Sequence, residues 1–361
     1  MTVFELTTHP GLEDLAWAEV RERLASAGWE AELLPAPLRG RVRFRVAAGE
    51  EVAEDVLARL RTLRSAHHLL RPLLELELPT EDPLGALDRA LREVTIPGLD
   101  PSTPFRITAQ RSGSHPFTSQ DLARVAGAAV QARSGAPVDL ESFAVEVRVD
   151  VKDRLALVAV QLTRTPLTHR YAGLDRPRVA LKADIAYALL RLLGRPRPGS
   201  RLLDPFCGSG TILLEAGALW RRVELWGLDR DPRAARSARS NLCRLGLGAR
   251  ARILCADALA ARRHLPERSF ARIATNPPYG RRLGRELHFF RFYRDWLAQA
   301  DALLEPEGRI GILVRKRDAF RAAVEDQGVF RIRHVRVIDA SGLFVGLFIL
   351  SRDRERRQPL P

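Results

Sequence analysis

The segment LDPFCGSGTILLEA, residues 203–216, decides the fold, because it sets a glycine-rich turn between a short apolar strand and an apolar helix. Asp204 ends the strand, and Gly208 and Gly210 let the backbone of the turn approach a ligand closely. A dinucleotide-binding turn would have a third glycine where this chain has Leu213. The turn therefore favours a ligand that carries adenosine without a pyrophosphate.

Around this segment the apolar pattern alternates between strands and helices. Strands are predicted over residues 200–203, 225–228, 252–255, 270–274, 309–314, 332–338 and 344–350, and helices over 180–193, 211–220, 232–245, 289–304 and from 318. Such alternation predicts a Rossmann-like α/β domain, a doubly wound and mostly parallel sheet of seven strands with helices on both faces. The last two strands have no helix between them, which predicts an antiparallel edge.

Polar residues follow the next two strands of this predicted sheet. The segment WGLDRD, residues 226–231, ends the second strand at Asp229, from which a carboxylate can accept hydrogen bonds from ribose hydroxyls. Asp257, followed by Ala258, ends the third strand and is placed to meet the exocyclic amine of an adenine. Because ligands bind at the carboxyl ends of strands in open α/β sheets, these residues predict an S-adenosylmethionine site.

The fourth strand ends in TNPPYG, residues 275–280, where two prolines without N–H groups must stop it. The side-chain carbonyl of Asn276 and the backbone carbonyl of Pro277 could accept both hydrogens of a planar amine, and Tyr279 offers a flat face for the attached ring. The segment, with Pro278, is therefore predicted to be the catalytic loop of a methyltransferase acting on a nucleobase amino group. The alternative is a simple turn after a strand.

The first 165 residues carry two smaller patterns. Residues 1–80 have the order βαββαβ, which predicts a ferredoxin-like domain. Residues 81–165 form a second α+β pattern, in which Thr118 is a predicted N-cap for the helix over 121–132. The polar stretch over 166–179 is predicted to be a linker, followed by the α/β domain over 180–361.

The segment ITAQRSGSHPFTSQDLARVAG, residues 107–127, resembles the THUMP domain, an RNA-binding module of RNA-modifying enzymes. The resemblance implies RNA contacts from four nearby residues: Arg106, Arg111, His115 and Phe117. A structural alternative is that Pro116, Phe117 and Thr118 only staple and cap the following helix.

Composition narrows the choice of partner and compartment. The 361 residues carry a net charge of +14, distributed as −4 over residues 1–165 and +18 over the rest, which fits a polyanion such as RNA or DNA. A solvated, thermophile-like surface is the alternative. The three cysteines show no metal-ligand spacing, and the longest apolar run, Leu343–Leu350, is too short to cross a bilayer. We expect a cytoplasmic monomer with no metal and no membrane contact, since the N-terminus also lacks a signal peptide.

With LDPFCGSGTILLEA, WGLDRD and TNPPYG in place, the whole chain resembles the THUMP-containing tRNA guanine-N2-methyltransferases, class I enzymes that use S-adenosylmethionine. The resemblance implies transfer to a guanosine of tRNA, at position 6 of the acceptor stem. It implies the following cofactor contacts: Lys182, Asp204, Phe206, Cys207, Gly208, Gly210, Thr211, Asp229, Arg230, Asp257, Ala258 and Asn276. Three arginines after the catalytic loop are expected to hold RNA phosphates or merely to coat the surface: Arg281, Arg282 and Arg285.

Other functions stay open at this point. The same catalytic loop serves DNA adenine-N6 and protein glutamine-N5 methyltransferases, although the THUMP-like segment favours RNA. Ribosomal RNA is an alternative substrate to tRNA. From a different class, the chain could be a non-catalytic RNA-binding factor that keeps a methyltransferase fold, and Lys182 could be a solvated helix residue.

Overall fold

The computed structural model describes residues 1–47, 54–175, 180–278, 288–340 and 342–353. They divide into two compact units, an N-terminal unit of Met1–Thr8 with Ala16–Leu167 and a C-terminal unit of His9–Leu15 with Thr168–Pro361. Each unit is built on a seven-stranded sheet. Within these described ranges, no helix combines the length and the apolar character that crossing a membrane would require.

The N-terminal sheet has the strand order β2-β3-β1-β4-β7-β6-β5. Its strands are β1 (Thr2–Thr7), β2 (Ala31–Leu34), β3 (Arg41–Val46), β4 (His68–Glu77), β5 (Phe105–Ser112), β6 (Val145–Lys152) and β7 (Leu155–Gln161). Helices of this half of the chain are α1 (Glu13–Ala25), α2 (Glu54–Leu60), α3 (Pro83–Glu93) and α4 (Ser119–Ser134). The first four strands are antiparallel in the order 2-3-1-4, which confirms the ferredoxin-like prediction.

Strands β4 and β7 pair antiparallel from Leu70 opposite Gln161 to Glu77 opposite Leu155. The ferredoxin-like and THUMP-like segments therefore share one continuous sheet. The division that the sequence predicts at residue 80 falls inside this compact unit rather than between two separate bodies. The apolar patterns of the two segments do not indicate this pairing, because an edge strand and an interior strand can have the same pattern.

The two faces of the N-terminal sheet differ in chemistry. One face packs apolar side chains under the helices, among them Phe4 and Phe44 in one cluster and Val147 and Val149 in another. The strands alternate, so the intervening residues point to the opposite face. These residues are largely arginines and carboxylates.

The C-terminal sheet has the strand order β10-β9-β8-β11-β12-β14-β13. Its strands are β8 (Arg201–Asp204), β9 (Glu224–Asp229), β10 (Ala251–Cys255), β11 (Phe270–Thr275), β12 (Leu304–Val314), β13 (Phe330–Asp339) and β14 (Phe344–Arg352). The helices are α5 (Ala183–Leu193), α6 (Thr211–Leu219), α7 (Pro232–Arg244), α8 (Phe289–Leu303) and α9 (Arg317–Gln327). Helices cover both faces, and each face has its own apolar core, as the doubly wound prediction requires.

The predicted antiparallel edge is confirmed, because β14 is antiparallel to both β12 and β13. Strand β14 lies between these two strands, so β13 rather than the last strand forms the edge. The physical reason is burial: β14 is almost continuously buried, whereas β13 alternates arginines with apolar residues and is half exposed. The more apolar strand takes the interior position.

The segment His9–Leu15 belongs to the C-terminal unit, which the sequence pattern did not predict. Asp339 N–H donates to the Pro10 carbonyl at 3.0 Å, and the Arg336 guanidinium donates to the Gly11 carbonyl at 3.0 Å. Leu12 is fully buried in the same apolar core as Ile338. This segment is thus a small N-terminal contribution to the α/β unit.

Candidate active site

The site is assembled at the carboxyl edge of the C-terminal sheet, with Asp204 at its centre. Asp204 is the last residue of β8 and is buried. The Thr275 hydroxyl donates to Asp204 Oδ1 at 2.8 Å, and Phe206 N–H donates to the same oxygen at 3.2 Å. Burial raises the pKa of Asp204 to about 7, although both hydrogen bonds oppose the rise. The carboxyl therefore joins the end of β8 to the end of β11 and ionises readily if a cation approaches.

Two positions in the turn after β8 have backbone φ angles that favour glycine. Gly208 has φ +52° and Gly210 has φ +91°, both in the left-handed region. Gly208 N–H donates to Asp229 Oδ2 at 2.9 Å, and Cys207 N–H donates to the Leu228 carbonyl at 2.8 Å. The end of β9 thus fixes the path of the turn. Thr211, at the start of α6, is buried.

Asp229 is the last residue of β9 and is half-buried. Its Oδ2 accepts from Gly208, and its Oδ1 accepts from Asp231 N–H at 2.9 Å. Each carboxylate oxygen has a further lone pair, so the group is held in place and can still accept hydrogen bonds from a ligand. The neighbouring Arg230 is exposed.

Asp257 lies two residues beyond the end of β10, not at the strand end as the sequence pattern predicted. Its Oδ1 accepts from Leu259 N–H at 2.9 Å, which makes Asp257 the N-cap of a short 3₁₀ helix, Ala258–Arg263. Asp257 is exposed, whereas Ala258 is buried. The pair therefore presents a carboxylate beside an apolar surface.

The predicted catalytic segment begins directly after β11. Asn276 is half-buried, Pro277 is buried and Pro278 is exposed. The hydrogen bond from Thr275, one residue earlier, links this segment to Asp204. Four residues of the predicted catalytic and phosphate-binding sets lie outside the described residues: Tyr279, Arg281, Arg282 and Arg285.

Phe206, Cys207 and Lys182 have distinct surroundings. The Phe206 ring lies 5.7 Å from Phe292 and 6.5 Å from Trp296, centroid to centroid, and so forms an apolar wall with α8. Burial raises the pKa of the Cys207 thiol well above its usual range, which keeps it protonated. Lys182 is exposed and is the N-cap residue of α5, one position before the helix, whereas the sequence pattern placed it inside.

The predicted RNA contacts of the N-terminal unit are only partly exposed. Arg106 donates to Glu146 Oε1 at 2.7 Å and stacks 4.0 Å from the centre of the Phe143 ring. Phe117 is buried in the core under α4, and its ring lies 5.0 Å from that of His115. Arg111 is exposed and His115 is half-buried.

The surroundings of α4 favour the structural alternative for Phe117. Thr118 and Asp121 form a reciprocal capping box, with Asp121 N–H donating to the Thr118 hydroxyl at 3.1 Å. Phe117 precedes this cap and is buried, as in a hydrophobic staple. The Phe117 ring therefore packs in the apolar core under α4, and this burial does not fit its prediction as an RNA contact.

Two residues that the sequence analysis did not assign to the site hold it together. Thr275 donates to Asp204, and Asn241 of α7 donates to the Ser209 carbonyl in the glycine turn at 3.0 Å. Thr275 could have been suspected because it directly precedes Asn276. For Asn241 the signal was its rarity, as it is one of two asparagines in the chain.

Comparisons with known proteins match this architecture. A model of the RMKL-like methyltransferase domain matches residues 175–345, and a THUMP domain model matches residues 86–161. A tRNA (guanine(6)-N2)-methyltransferase of Thermus thermophilus is 41% identical over 96% of this chain and 99% of its own length. A relative with the same name from Archaeoglobus fulgidus is 28% identical over 96% of this chain and 91% of its own length.

A solved structure is also similar over the whole chain. The crystal structure of TrmN from Thermus thermophilus has a TM-score of 0.77 and 40% identity, over 98% of this chain and 100% of that chain. Fold, motifs and full-length identity agree, and they confirm the resemblance on which the sequence prediction rested. The chain belongs to the THUMP-containing tRNA (guanine(6)-N2)-methyltransferase family.

Proposed function

We propose that this protein transfers the methyl group of S-adenosylmethionine to the exocyclic N2 of a guanosine in tRNA, at position 6 of the acceptor stem. The observation that carries the proposal is the hydrogen bond between Thr275 and Asp204. It places the glycine turn and the Asn276 segment side by side at one sheet edge. The substrate and position follow the names of full-length relatives from a bacterium and an archaeon.

The residues present fit S-adenosylmethionine. Gly208 and Gly210 carry no side chains, so a ligand can approach the backbone of the turn at these two positions. Asp229 offers a fixed carboxylate of the kind that accepts from ribose hydroxyls, and Asp257 offers one beside the buried Ala258 for an adenine amine. Asp204 supplies negative charge for the cationic methionine part. The absence of GxGxxG fits a ligand without a pyrophosphate.

The donor, when bound, supplies a methyl group already activated by a sulfonium. The nucleophile is weak, because the lone pair of guanine N2 is delocalised into the ring. Carbonyl acceptors at Asn276 and Pro277 would hold both N2 hydrogens, favour the geometry that frees the lone pair, and stabilise the positive charge that develops on nitrogen. As the N–CH₃ bond forms, the S–CH₃ bond breaks, and one N2 proton leaves to solvent.

This chemistry requires neither a strong base before transfer nor a metal ion, since the leaving thioether is neutral. A guanosine in a stem has to be flipped out, at a cost of about a few kcal/mol of unstacking. Tyr279 and the arginines after it, assigned from the sequence, would receive the base and its phosphates. The THUMP-like half would hold the tRNA, with exposed Arg111 as its first candidate contact. We further propose a cytoplasmic monomer.

The test is incubation of the purified protein with methyl-labelled S-adenosylmethionine and an unmodified tRNA transcript, followed by nucleoside mass spectrometry and mapping. We expect N2-methylguanosine at position 6. A matched transcript with an adenosine–uridine pair at that position should take up no label. Label in ribosomal RNA instead of tRNA would overturn the substrate, and no transfer to tRNA, rRNA, DNA or protein would favour a non-catalytic RNA-binding factor.

A further inference from the structure

Asn241 is a buried amide in the last turn of α7, and its hydrogen bonds reach two separate segments of the chain. Its Nδ2 donates to the Ser209 carbonyl at 3.0 Å and to the Asp175 carbonyl at 2.8 Å, and its Oδ1 accepts from Asp175 N–H at 3.0 Å. Asn241 is fully buried, and a buried amide is tolerated only where such partners exist. All of these partners are backbone groups, so Asn241 fixes the backbone paths of both segments.

One of those paths is the glycine turn. Its residues are held by different groups: Gly208 N–H donates to the carboxylate of Asp229, the Ser209 carbonyl accepts from Asn241, and Gly210 N–H donates to the Cys207 carbonyl at 2.8 Å. A Cβ atom at Gly210 would lie 3.5 Å from both the Cα and Cβ of Ala238, one helical turn before Asn241, so the turn lies next to α7. Helix α7 and the end of β9 therefore both fix the path of the turn.

The other path is the connecting segment, residues 170–175, which leads towards Lys182. Arg170 Nε donates to Glu215 Oε1 on α6 at 2.6 Å, and Arg244 of α7 donates to the Gly173 carbonyl at 3.0 Å. The Ser237 hydroxyl also donates to the Asp175 carboxylate. The segment is thus tied to the two helices that flank the glycine turn.

We propose that Asn241 is a positioning residue for the methyl donor, which links the connecting segment to the glycine turn so that both present their backbones to the donor together. It acts through Ser209 and Asp175 and does not itself contact the donor. This inference rests on the proposed function, because it assumes that the glycine turn binds S-adenosylmethionine.

The chain offers a matched control for the test. Asn241→Ala removes all three hydrogen bonds, whereas Ser237→Ala, on the same helix, removes the side-chain bond to the Asp175 carboxylate and keeps the three bonds of Asn241. We would measure the dissociation constant for S-adenosylmethionine by calorimetry, and kcat and tRNA affinity at saturating donor. Loss of buried hydrogen bonds predicts that Asn241→Ala weakens donor binding about tenfold or more.

The expected result is a rise in the donor KM of Asn241→Ala, with kcat and tRNA affinity changed less than about threefold and Ser237→Ala close to wild type. Donor affinity unchanged in Asn241→Ala, or lowered equally by Ser237→Ala, would overturn the inference. So would a loss of tRNA affinity as large as that of donor affinity, since it would indicate general damage.

A second measurement uses the wild-type protein and does not depend on the folding of a variant. Hydrogen exchange should slow at the amides of both Gly208 and Asp175 when S-adenosylmethionine is added, because Asn241 couples the two segments. Protection of Gly208 without Asp175 would contradict the coupling while leaving the proposed function intact. A wild-type protein that does not bind S-adenosylmethionine would instead refute the proposed function, and the inference with it.

Discussion

The N-terminal sheet carries a network of paired charges along its strands, whereas the carboxylates predicted to bind the donor lie at or beyond the strand ends of the C-terminal sheet. In the N-terminal sheet, Arg41 donates to Glu5 at 2.8 Å and also pairs with Asp150, while Arg148 donates to the same Asp150 carboxylate at 2.8 Å. Both faces of the C-terminal sheet are apolar and covered by helices. Three carboxylates of the predicted donor site, those of Asp204, Asp229 and Asp257, lie at or beyond its strand ends.

The difference follows from how the strands are connected. Helical crossovers between parallel strands cover both faces of a sheet, so ligands bind at the carboxyl ends of the strands, whereas antiparallel connections leave one face without helices. We therefore expect a charged residue inside an N-terminal strand to be structural, and a carboxylate at the carboxyl end of a C-terminal strand to take part in ligand binding. Arg106, paired with Glu146, illustrates the first case, and Asp204 illustrates the second.

The largest effect should come from Asn276→Ala at the end of β11. We expect kcat to fall about 10³-fold, because the acceptor that orients the target amine is lost, while donor binding is retained. Steady-state kinetics with tRNA and calorimetry with S-adenosylmethionine would measure both. The matched control is Gln161→Ala, which removes a buried amide within a strand of the N-terminal sheet and should leave kcat unchanged. Full activity of Asn276→Ala would show that the Asn276 side chain does not orient the target amine.

Next in size is Arg148→Met in the N-terminal sheet. Arg148 and Asp150 are both buried, so the substitution takes one cation from the network and should lower the free energy of unfolding by about 3 kcal/mol. Denaturant unfolding would measure the change, and donor affinity should stay as in wild type. A shift of unfolding free energy below about 1 kcal/mol would mean that the network contributes little, as exposed pairs do.

A smaller effect concerns pH and Asp204. Burial raises the pKa of Asp204 to about 7 in the folded protein without donor, whereas the same carboxyl in the unfolded chain ionises near pH 3.8. The protonated Asp204 carboxyl therefore contributes stability at low pH, and this contribution is lost as the pH rises through 7. A cationic donor favours the ionised form. Donor affinity should therefore rise about tenfold between pH 6 and 8, as titration calorimetry would show. Asp204→Asn should flatten that dependence, and a wild-type profile without slope would contradict the assignment.

The smallest effect is expected from Thr118→Ala at the start of α4. Loss of the capping box should reduce the free energy of unfolding by about 1 kcal/mol, whereas Thr118→Ser keeps the hydroxyl and should cost about a few tenths. Thermal unfolding of the two variants would compare them. If the alanine variant retained wild-type stability yet bound tRNA weakly, the Thr118 hydroxyl would be an RNA contact rather than a cap.

The sequence predicted where the polar residues of the C-terminal sheet lie better than it predicted the charge pairs of the N-terminal sheet, for a physical reason. The carboxyl ends of parallel strands meet at one edge whatever the strand order, so Asp204, Asp229 and Asn276 could be grouped without knowing which strands are neighbours. The pairing of Glu5 with Arg41 depends on strand register, which the alternating pattern alone does not fix.

Other features depended on contacts between residues far apart in the chain. Asn241 binds backbone carbonyls 32 and 66 residues away, and no local pattern signals such partners. The interior position of β14 likewise depends on comparing it with β13, because the more apolar strand gains more free energy from burial. The residues from 105 to 118 could be recognised as a THUMP-like segment, but not sorted into exposed and packed side chains without the structure.

The pairing of β4 with β7 bears on whether the THUMP-like segment, residues 81–165, can be separated from the first 80 residues. Strand β7 has the sequence LALVAVQ, without a charge, and β4 covers one of its two edges. A fragment limited to residues 81–165 would expose that edge, and uncharged edges of this kind can recruit strands from other molecules and aggregate. The first 80 residues thus shield this edge, and we expect the isolated fragment to aggregate more readily than residues 1–165.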